Sequence, residues 1–258
     1  SQFYGIEYEE FPCQIAQVGM WLMDHQMNLL VADQFGTYYV RLPLKQSATI
    51  VHDNALRIDW NKVVLTEELS YIFGNPPFVG ARIMSTEQKA DLRHVFGSVK
   101  NAGNLDYVCC WYKKAVDIMQ KNKNITTAFV STNSISQGEQ VAILWKPFFE
   151  KGVFINFAYR TFKWNNEAKG KAAVHCVIIG FGMIEKRNKF IVDGDICSHV
   201  ENINGYLVGA QNICIESRRK PLCDIPQIGI GNKPIDGGYY LFTEDGKNSF
   251  IAKEPASK

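Results

Sequence analysis

Residues 75–78 read Asn-Pro-Pro-Phe and follow the apolar run Tyr71-Ile72-Phe73-Gly74. A residue before proline is driven out of the helical region into an extended conformation. That applies to Asn75 and again to Pro76. The Asn75 side-chain oxygen and the Pro76 carbonyl can therefore be held as two fixed acceptors. An amine on an aromatic ring offers two N–H donors, while its lone pair is delocalised into the ring. Two acceptors placed for both hydrogens favour a more pyramidal nitrogen, whose lone pair can attack an electrophile. This is charge stabilisation by preorganised dipoles. Pro77 stiffens the corner further, and Phe78 adds a flat surface for a base to stack on. An amine inside a duplex would first have to be swung out of the stack. A proline pair at a strand end can also be nothing more than a rigid turn. The strand before it, the aromatic in it and the helical signals after it favour the chemical reading.

The elements that must position this corner follow from periodicity. Phe3–Glu7 reads as a short strand ending in an acid. Residues 9–30 read as a long helix, with Ile15, Val18, Leu22 and Leu29 near helical spacing. Ala48–Val51 and Leu69–Phe73 are strand candidates. Ser85 with Gln88 forms a capping-box signal for a helix through Phe96. Leu105–Gln120 is a second such helix. Ile125–Ser131 is β-rich and apolar enough to be covered on both faces. Ser136 with Glu139 predicts another capped helix, which Pro147 would kink. Val153–Arg160 and Ala172–Phe181 are strands joined by a loop too short for a helix, so antiparallel pairing is expected. Strands alternating with helices predict an α/β domain over 1–185. From 186 to 258 the chain is rich in Gly, Asn, Asp and Pro, and an irregular extension is expected.

Composition narrows the possibilities. A chain of 258 residues, 46% hydrophobic, supports one substantial core. The formal net charge is +2, so nucleic-acid contact would need a local basic patch. Seven cysteines without a CxxC pair read as reduced core thiols. Five dispersed histidines lack metal-ligand spacing, and no metal site is expected. No apolar run is long enough for a membrane span. A cytoplasmic location fits these features.

The Asn-Pro-Pro-Phe motif resembles the catalytic motif of the class I S-adenosylmethionine-dependent amino-methyltransferases, the N6-adenine DNA enzymes in particular. The wider context is more specific. "FYGIEYEEFPCQIAQVGMWLMDHQMN", "NPPFVGA", "LDYVCCWYKKA", "FVSTNSISQGEQVAILW" and "RTFKWNNEAKGKAAVHCVIIGF" look like the methyltransferase segment of single-chain type II restriction–modification enzymes, in the same order. "ESRRKPLCDIPQIGIGNKPIDGG" resembles the stretch leading toward their target-recognition domain.

The resemblance implies a Rossmann-like sheet with helices on both faces, S-adenosylmethionine as cofactor and double-stranded DNA as partner. It implies a prokaryotic source. It places Glu7 at the cofactor ribose hydroxyls and Asn54 at the cofactor adenine, with Asp53 as the alternative. Asn75, Pro76, Pro77 and Phe78 become the catalytic set. Phe162 or Trp164 would stack on the flipped base. Lys163, Lys169, Lys171, Arg218, Arg219 and Lys220 would reach phosphates, and Asn133 would shape the pocket.

The glycine-rich cofactor loop of that family has no counterpart in the sequence. Residue 1 falls where the family's second strand begins. The expectation is a fragment without the first, central strand, weak or inactive alone and needing the missing segment or a partner chain. Loss of that strand would leave a gap or force its neighbours together. Two rival readings stand beside this one. The first is an N-methyltransferase acting on an RNA base or a protein glutamine. The second is a non-catalytic DNA-binding piece.

Overall fold

In a computed structural model of the chain, residues 2–36, 48–164, 174–218, 223–224 and 241–255 are described. The chain divides into two compact units, Ser1–Glu216 and Ser217–Lys258.

The first unit holds two sheets. β1 (Tyr4–Glu7) and β2 (Thr49–His52) pair in parallel, joined through the long helix α1 (Glu10–Phe35). The second sheet contains β3 (Tyr71–Gly74), β4 (Thr126–Thr132), β5 (Phe154–Trp164), β6 (Val174–Gly182), β7 (Lys189–Asp193) and β8 (Ile196–Val200). Its order is β3-β4-β6-β5-β7-β8. β3 and β4 run parallel, and β6 enters antiparallel between β4 and β5, as the short connection requires. Among the described residues β1 pairs only with β2, and β3 only with β4. The two strands are separated, not pressed together.

The helices between β3 and β4 are α2 (Thr86–Phe96) and α3 (Cys109–Met119), and α4 (Gly138–Glu150) follows β4. α2 starts on the predicted capping box: Gln88 N donates to Ser85 Oγ at 3.2 Å and Ser85 N donates to Gln88 Oε1 at 2.9 Å. The core joins α3, α4 and one face of the sheet. Tyr112 stacks on Phe181 at 5.1 Å, and Trp145 meets Phe181 edge-on at 6.1 Å. Cys109 and Cys110 lie inside this core, and burial pushes both thiols above their ordinary pKa.

Four features depart from the sequence reading. α1 extends to Phe35, but its apolar stripe is not a core face: Ile15, Val18, Leu22 and Leu29 are exposed, and Cys13 is its buried residue. α1 meets β2 through a polar seam, with Gln17 Nε2 donating to Ile50 O at 3.3 Å. β4 is buried on alternate residues only, and α3 and α4 share one face of the six-stranded sheet. On the other face, neighbouring Tyr71 and Phe73 are exposed, so among the described residues helices do not cover both faces alike. α4 has no side-chain cap, because the Ser136 hydroxyl donates to Asn133 O at 2.7 Å instead. Finally, 186–200 is regular: β7 and β8 form a hairpin on the sheet, so the first unit runs past the 185/186 boundary to Glu216.

In the second unit, α5 (Glu244–Lys253) is capped by Thr243 Oγ1, which accepts from Gly246 N at 3.2 Å. Phe242 stacks on Phe250 at 5.0 Å across its first turns.

Candidate active site

β3 ends at Gly74 and delivers the Asn75–Pro77 corner directly to the wall of a cavity of about 760 Å³. β1 with Tyr8 forms another wall, and Asn54, Asp91, Tyr107 and Trp111 complete it. The volume is of the size that small-molecule sites use. Asn75 is exposed at this wall, and Pro76 is buried behind it. Neither the Asn75 side chain nor the Pro76 carbonyl is hydrogen-bonded among the described residues. Two oxygens thus remain unspent beside a cavity, at the carboxyl end of a parallel strand. Phe78 is half-buried and adjoins the lining residues without being one of them.

Glu7 closes β1 on the same cavity. Its Oε1 accepts from Tyr8 N at 2.9 Å and Glu9 N at 3.2 Å, which fixes the carboxylate against the start of α1. Oε2 takes no hydrogen bond among the described residues. The negative charge sits at the helix N-terminus, where the backbone dipole favours it.

The loop after β2 uses its polar groups differently. Asn54 Oδ1 accepts from Leu56 N at 2.8 Å, and Asn54 Nδ2 donates to Asp91 Oδ2 at 3.2 Å. Its side chain is committed to holding the loop. Asp53 is exposed, and its Oδ1 accepts from Asn54 N at 2.6 Å. Of the two cofactor candidates, Asp53 has the side chain less committed to the protein.

Asp91 anchors this region. Its carboxylate accepts from Arg57 Nε at 2.6 Å and Tyr107 OH at 2.7 Å, besides Asn54. Burial alone would raise its pKa, but hydrogen bonds from Tyr107, Arg57 and Asn54 and the Arg57 charge together hold it below the ordinary value. Burial first, and then the Asp91 carboxylate, push the Tyr107 hydroxyl far up, so it stays a donor. A depressed carboxyl pKa contributes stability above the unfolded value, and that contribution is lost as pH falls through the folded value. The unfolded reference is about 3.9. Between about pH 5 and pH 2, the melting temperature is expected to fall more steeply for the wild type than for Asp91→Asn. Parallel melting curves over that range would contradict the assignment.

The remaining candidates are distributed. Phe162 is half-buried near the end of β5, and Lys163 beside it is exposed. Trp164 ends the strand, its backbone paired with Val174. Antiparallel registers carry this end of β5 to the end of the sheet where β4 finishes at Thr132, since Phe162 pairs with Cys176 and Cys176 with Thr132. That is also the carboxyl end of β3, though Phe162 does not line the cavity. Asn133 opens a 3-10 turn (Asn133–Ser136) after β4 and is not a cavity residue. Arg218 lies exposed in the second unit. Lys169, Lys171, Arg219 and Lys220 lie outside the described residues. Among the described residues no cluster of three or more His, Cys, Asp or Glu could hold a metal, and no helix is long and apolar enough to cross a membrane.

Comparison with known proteins gives this architecture a family. Residues 1–193 match the MmeI DNA-methyltransferase domain, and residues 209–258 match the MmeI target recognition domain. The chain belongs to the MmeI family of DNA-methyltransferase domains, and its α/β fold is the Rossmann-like fold of those enzymes. It is 42% identical over 259 residues to DNA methyltransferase A of Bacillus subtilis (strain 168), which covers 99% of this chain and 29% of that protein. It is 50% identical to the type IIL restriction-modification enzyme MmeI, solved in complex with DNA, at a TM-score of 0.90 over 99% of this chain and 35% of that one. The chain therefore spans about a third of the length of these relatives.

Sequence reasoning missed Asp91, Tyr107, Asp106 and Gln140. The hydrogen bonds that gather them reach across 16 to 37 residues, and no local spacing announces them.

Proposed function

We propose that this chain carries the catalytic corner and one cofactor wall of an S-adenosylmethionine-dependent N6-adenine DNA methyltransferase, part of a restriction–modification enzyme. The observation that carries the reading is the pair of unspent oxygens, Asn75 Oδ1 and Pro76 O, at the carboxyl end of β3 beside a cavity of about 760 Å³. They accept the two hydrogens of the adenine amine and shift its lone pair out of conjugation. The adenine reaches them by flipping out of double-stranded DNA. Phe78 and an aromatic near the end of β5, Phe162 or Trp164, stack on it. Lys163, Lys169, Lys171, Arg218 and Arg219 contact phosphates, which position the duplex without reading sequence.

The cavity fits the cofactor. In this reading Glu7, whose Oε2 takes no hydrogen bond among the described residues, accepts from the cofactor's vicinal hydroxyls, and Asn54, which lines the cavity, or Asp53, which does not, meets the adenine. When bound, S-adenosylmethionine supplies an already activated methyl group on its sulfonium. The chain's own residues then have the tasks of alignment and amine polarisation. Glu7→Gln removes a charged acceptor and is expected to weaken S-adenosylmethionine binding by about tenfold or more. Calorimetry measures this, and an unchanged affinity would dismiss the Glu7 role.

The deciding experiment offers labelled S-adenosylmethionine with DNA, RNA and a glutamine-bearing protein acceptor. Label in DNA as N6-methyladenine is expected. Label in RNA or protein would replace this reading. Among the described residues one edge each of β1 and β3 beside the cavity is unpaired, which favours one alternative, a piece that binds DNA without turning over. DNA affinity with no heat of cofactor binding would select it.

A further inference from the structure

Asp106 is buried, and its carboxylate joins three segments. Oδ1 accepts from Ala81 N, just after the catalytic corner, at 3.1 Å, and from Gln140 Nε2 on α4 at 3.1 Å. Oδ2 accepts from Thr132 Oγ1 at 3.0 Å and from Ser134 Oγ, both at the end of β4. Gln140 Oε1 closes the ring by accepting from Asp106 N at 3.1 Å. The next residue repeats the pattern in another direction. Tyr107 N donates to Val79 O at 2.9 Å, while its hydroxyl reaches Asp91, which holds Asn54 and Arg57. Two consecutive residues thus tie 79–81 on one side and 54–57 on the other to a single fixed point.

We propose that Asp106 and Tyr107 are positioning residues, a strut that sets the distance between the methyl-accepting corner and the cofactor loop. The proposal rests on the functional reading above, because it assigns the strut a role in that reaction. A buried carboxylate with four donors is costly unless every donor is present. Once satisfied, such a network fixes its members. Methyl transfer needs donor and acceptor aligned to fractions of an ångström, and small misplacements there cost about 100-fold. Asparagine can take over the same contacts. Its oxygen accepts from Ala81 N and Gln140, and its amide donates to hydroxyls that rotate to accept.

The test combines amide hydrogen exchange of the full chain, which needs no turnover, with labelled methyl transfer to DNA. In Asp106→Ala, amides 78–82 are expected to exchange about tenfold faster or more, with α3 and β4 unchanged. The turnover rate is expected to drop about 100-fold while the S-adenosylmethionine KM stays within about twofold. Asp106→Asn is expected to restore both. Tyr107→Phe is expected to loosen 54–57 and leave 78–82 protected. If Asp106→Ala does not fold, the Thr132→Val, Ser134→Ala double variant removes both Oδ2 donors and carries the same exchange expectation. Unchanged exchange at 78–82, a uniform rise across the chain, or no rescue by asparagine would each overturn the strut. Should the wild-type chain transfer no methyl group while exchange responds as expected, the strut stands as a geometric device, and it is turnover by this chain alone, not the strut, that fails.

Discussion

Asn75→Ala is expected to lower methyl transfer to DNA by about 10²–10³-fold, the cost of deleting one preorganised group that acts on developing charge. DNA affinity is expected to stay within about twofold, because most binding energy comes from phosphate contacts that this residue does not make. The geometry allows a clean separation of causes. The Asn75 side chain is exposed beside the cavity and makes no hydrogen bond among the described residues. Its truncation strips no partner inside the protein, so the melting temperature is expected to remain within about a degree, as for surface substitutions that break no buried contact. The Pro76 carbonyl stays in place, which leaves one acceptor and an amine polarised on one side only. Asn75→Asp keeps an acceptor at the same reach and is expected to fall between the wild type and alanine. Single-turnover kinetics and fluorescence anisotropy measure the two quantities. Parallel loss of rate and affinity would mean that Asn75 is part of the DNA surface and not of the chemistry.

The corner was legible in the sequence because proline restricts its predecessor through covalent geometry, which needs no tertiary context. The capping box at Ser85 and Gln88 was legible for a related reason: both partners sit within four residues. The same signal at Ser136 and Glu139 failed where a nearer carbonyl, Asn133 O, captured the hydroxyl. The apolar periodicity of α1 correctly gave a helix but not its buried face, because contacts with β2 run through Cys13 and Gln17. β7 and β8 depart from the expected irregular extension, although Gly194-Asp195 between two β-rich runs is a hairpin signal. Gly194 takes φ 60 there, the positive value a two-residue turn demands. The Gly, Asn, Asp and Pro content of 186–258 masks it, and so does Lys189 at the start of β7, whose side chain is buried, with Nζ 2.6 Å from Glu185 and lying over the Phe154 ring. Asp91, Asp106 and Tyr107 could not be read at all, since each acquires its role from residues far away along the chain.

Trp145→Ala is expected to destabilise the first unit by about 3–5 kcal/mol, the range for a buried aromatic replaced by alanine. Trp145 is fully buried. It packs edge-on against Tyr112 at 5.7 Å and Phe181 at 6.1 Å and stacks with Phe149 at 5.9 Å. Gly205 passes so near that a Cβ there would lie 3.0 Å from the indole, so this loop cannot follow a receding side chain without moving its backbone. Close packing on all sides means that the cavity left by alanine collapses poorly, which places the cost in the upper part of that range. The indole Nε1 also donates to Ile135 O at 3.0 Å. Trp145→Phe keeps most of the ring but strands that carbonyl, for an expected loss of about 1–3 kcal/mol. Domains of this kind are stable by only about 5–15 kcal/mol, so alanine removes a large share. Ile135 is the neighbour of Ser134, whose hydroxyl holds Asp106. The core aromatic and the Asn75–Pro77 corner are therefore linked through one 3-10 turn, and exchange at 78–82 is expected to rise in both variants. Urea unfolding with an unchanged m-value measures the stability term. A loss below about 1 kcal/mol for alanine would show that the core re-forms around the gap, and the turn would then owe its position to the Asp106 network alone.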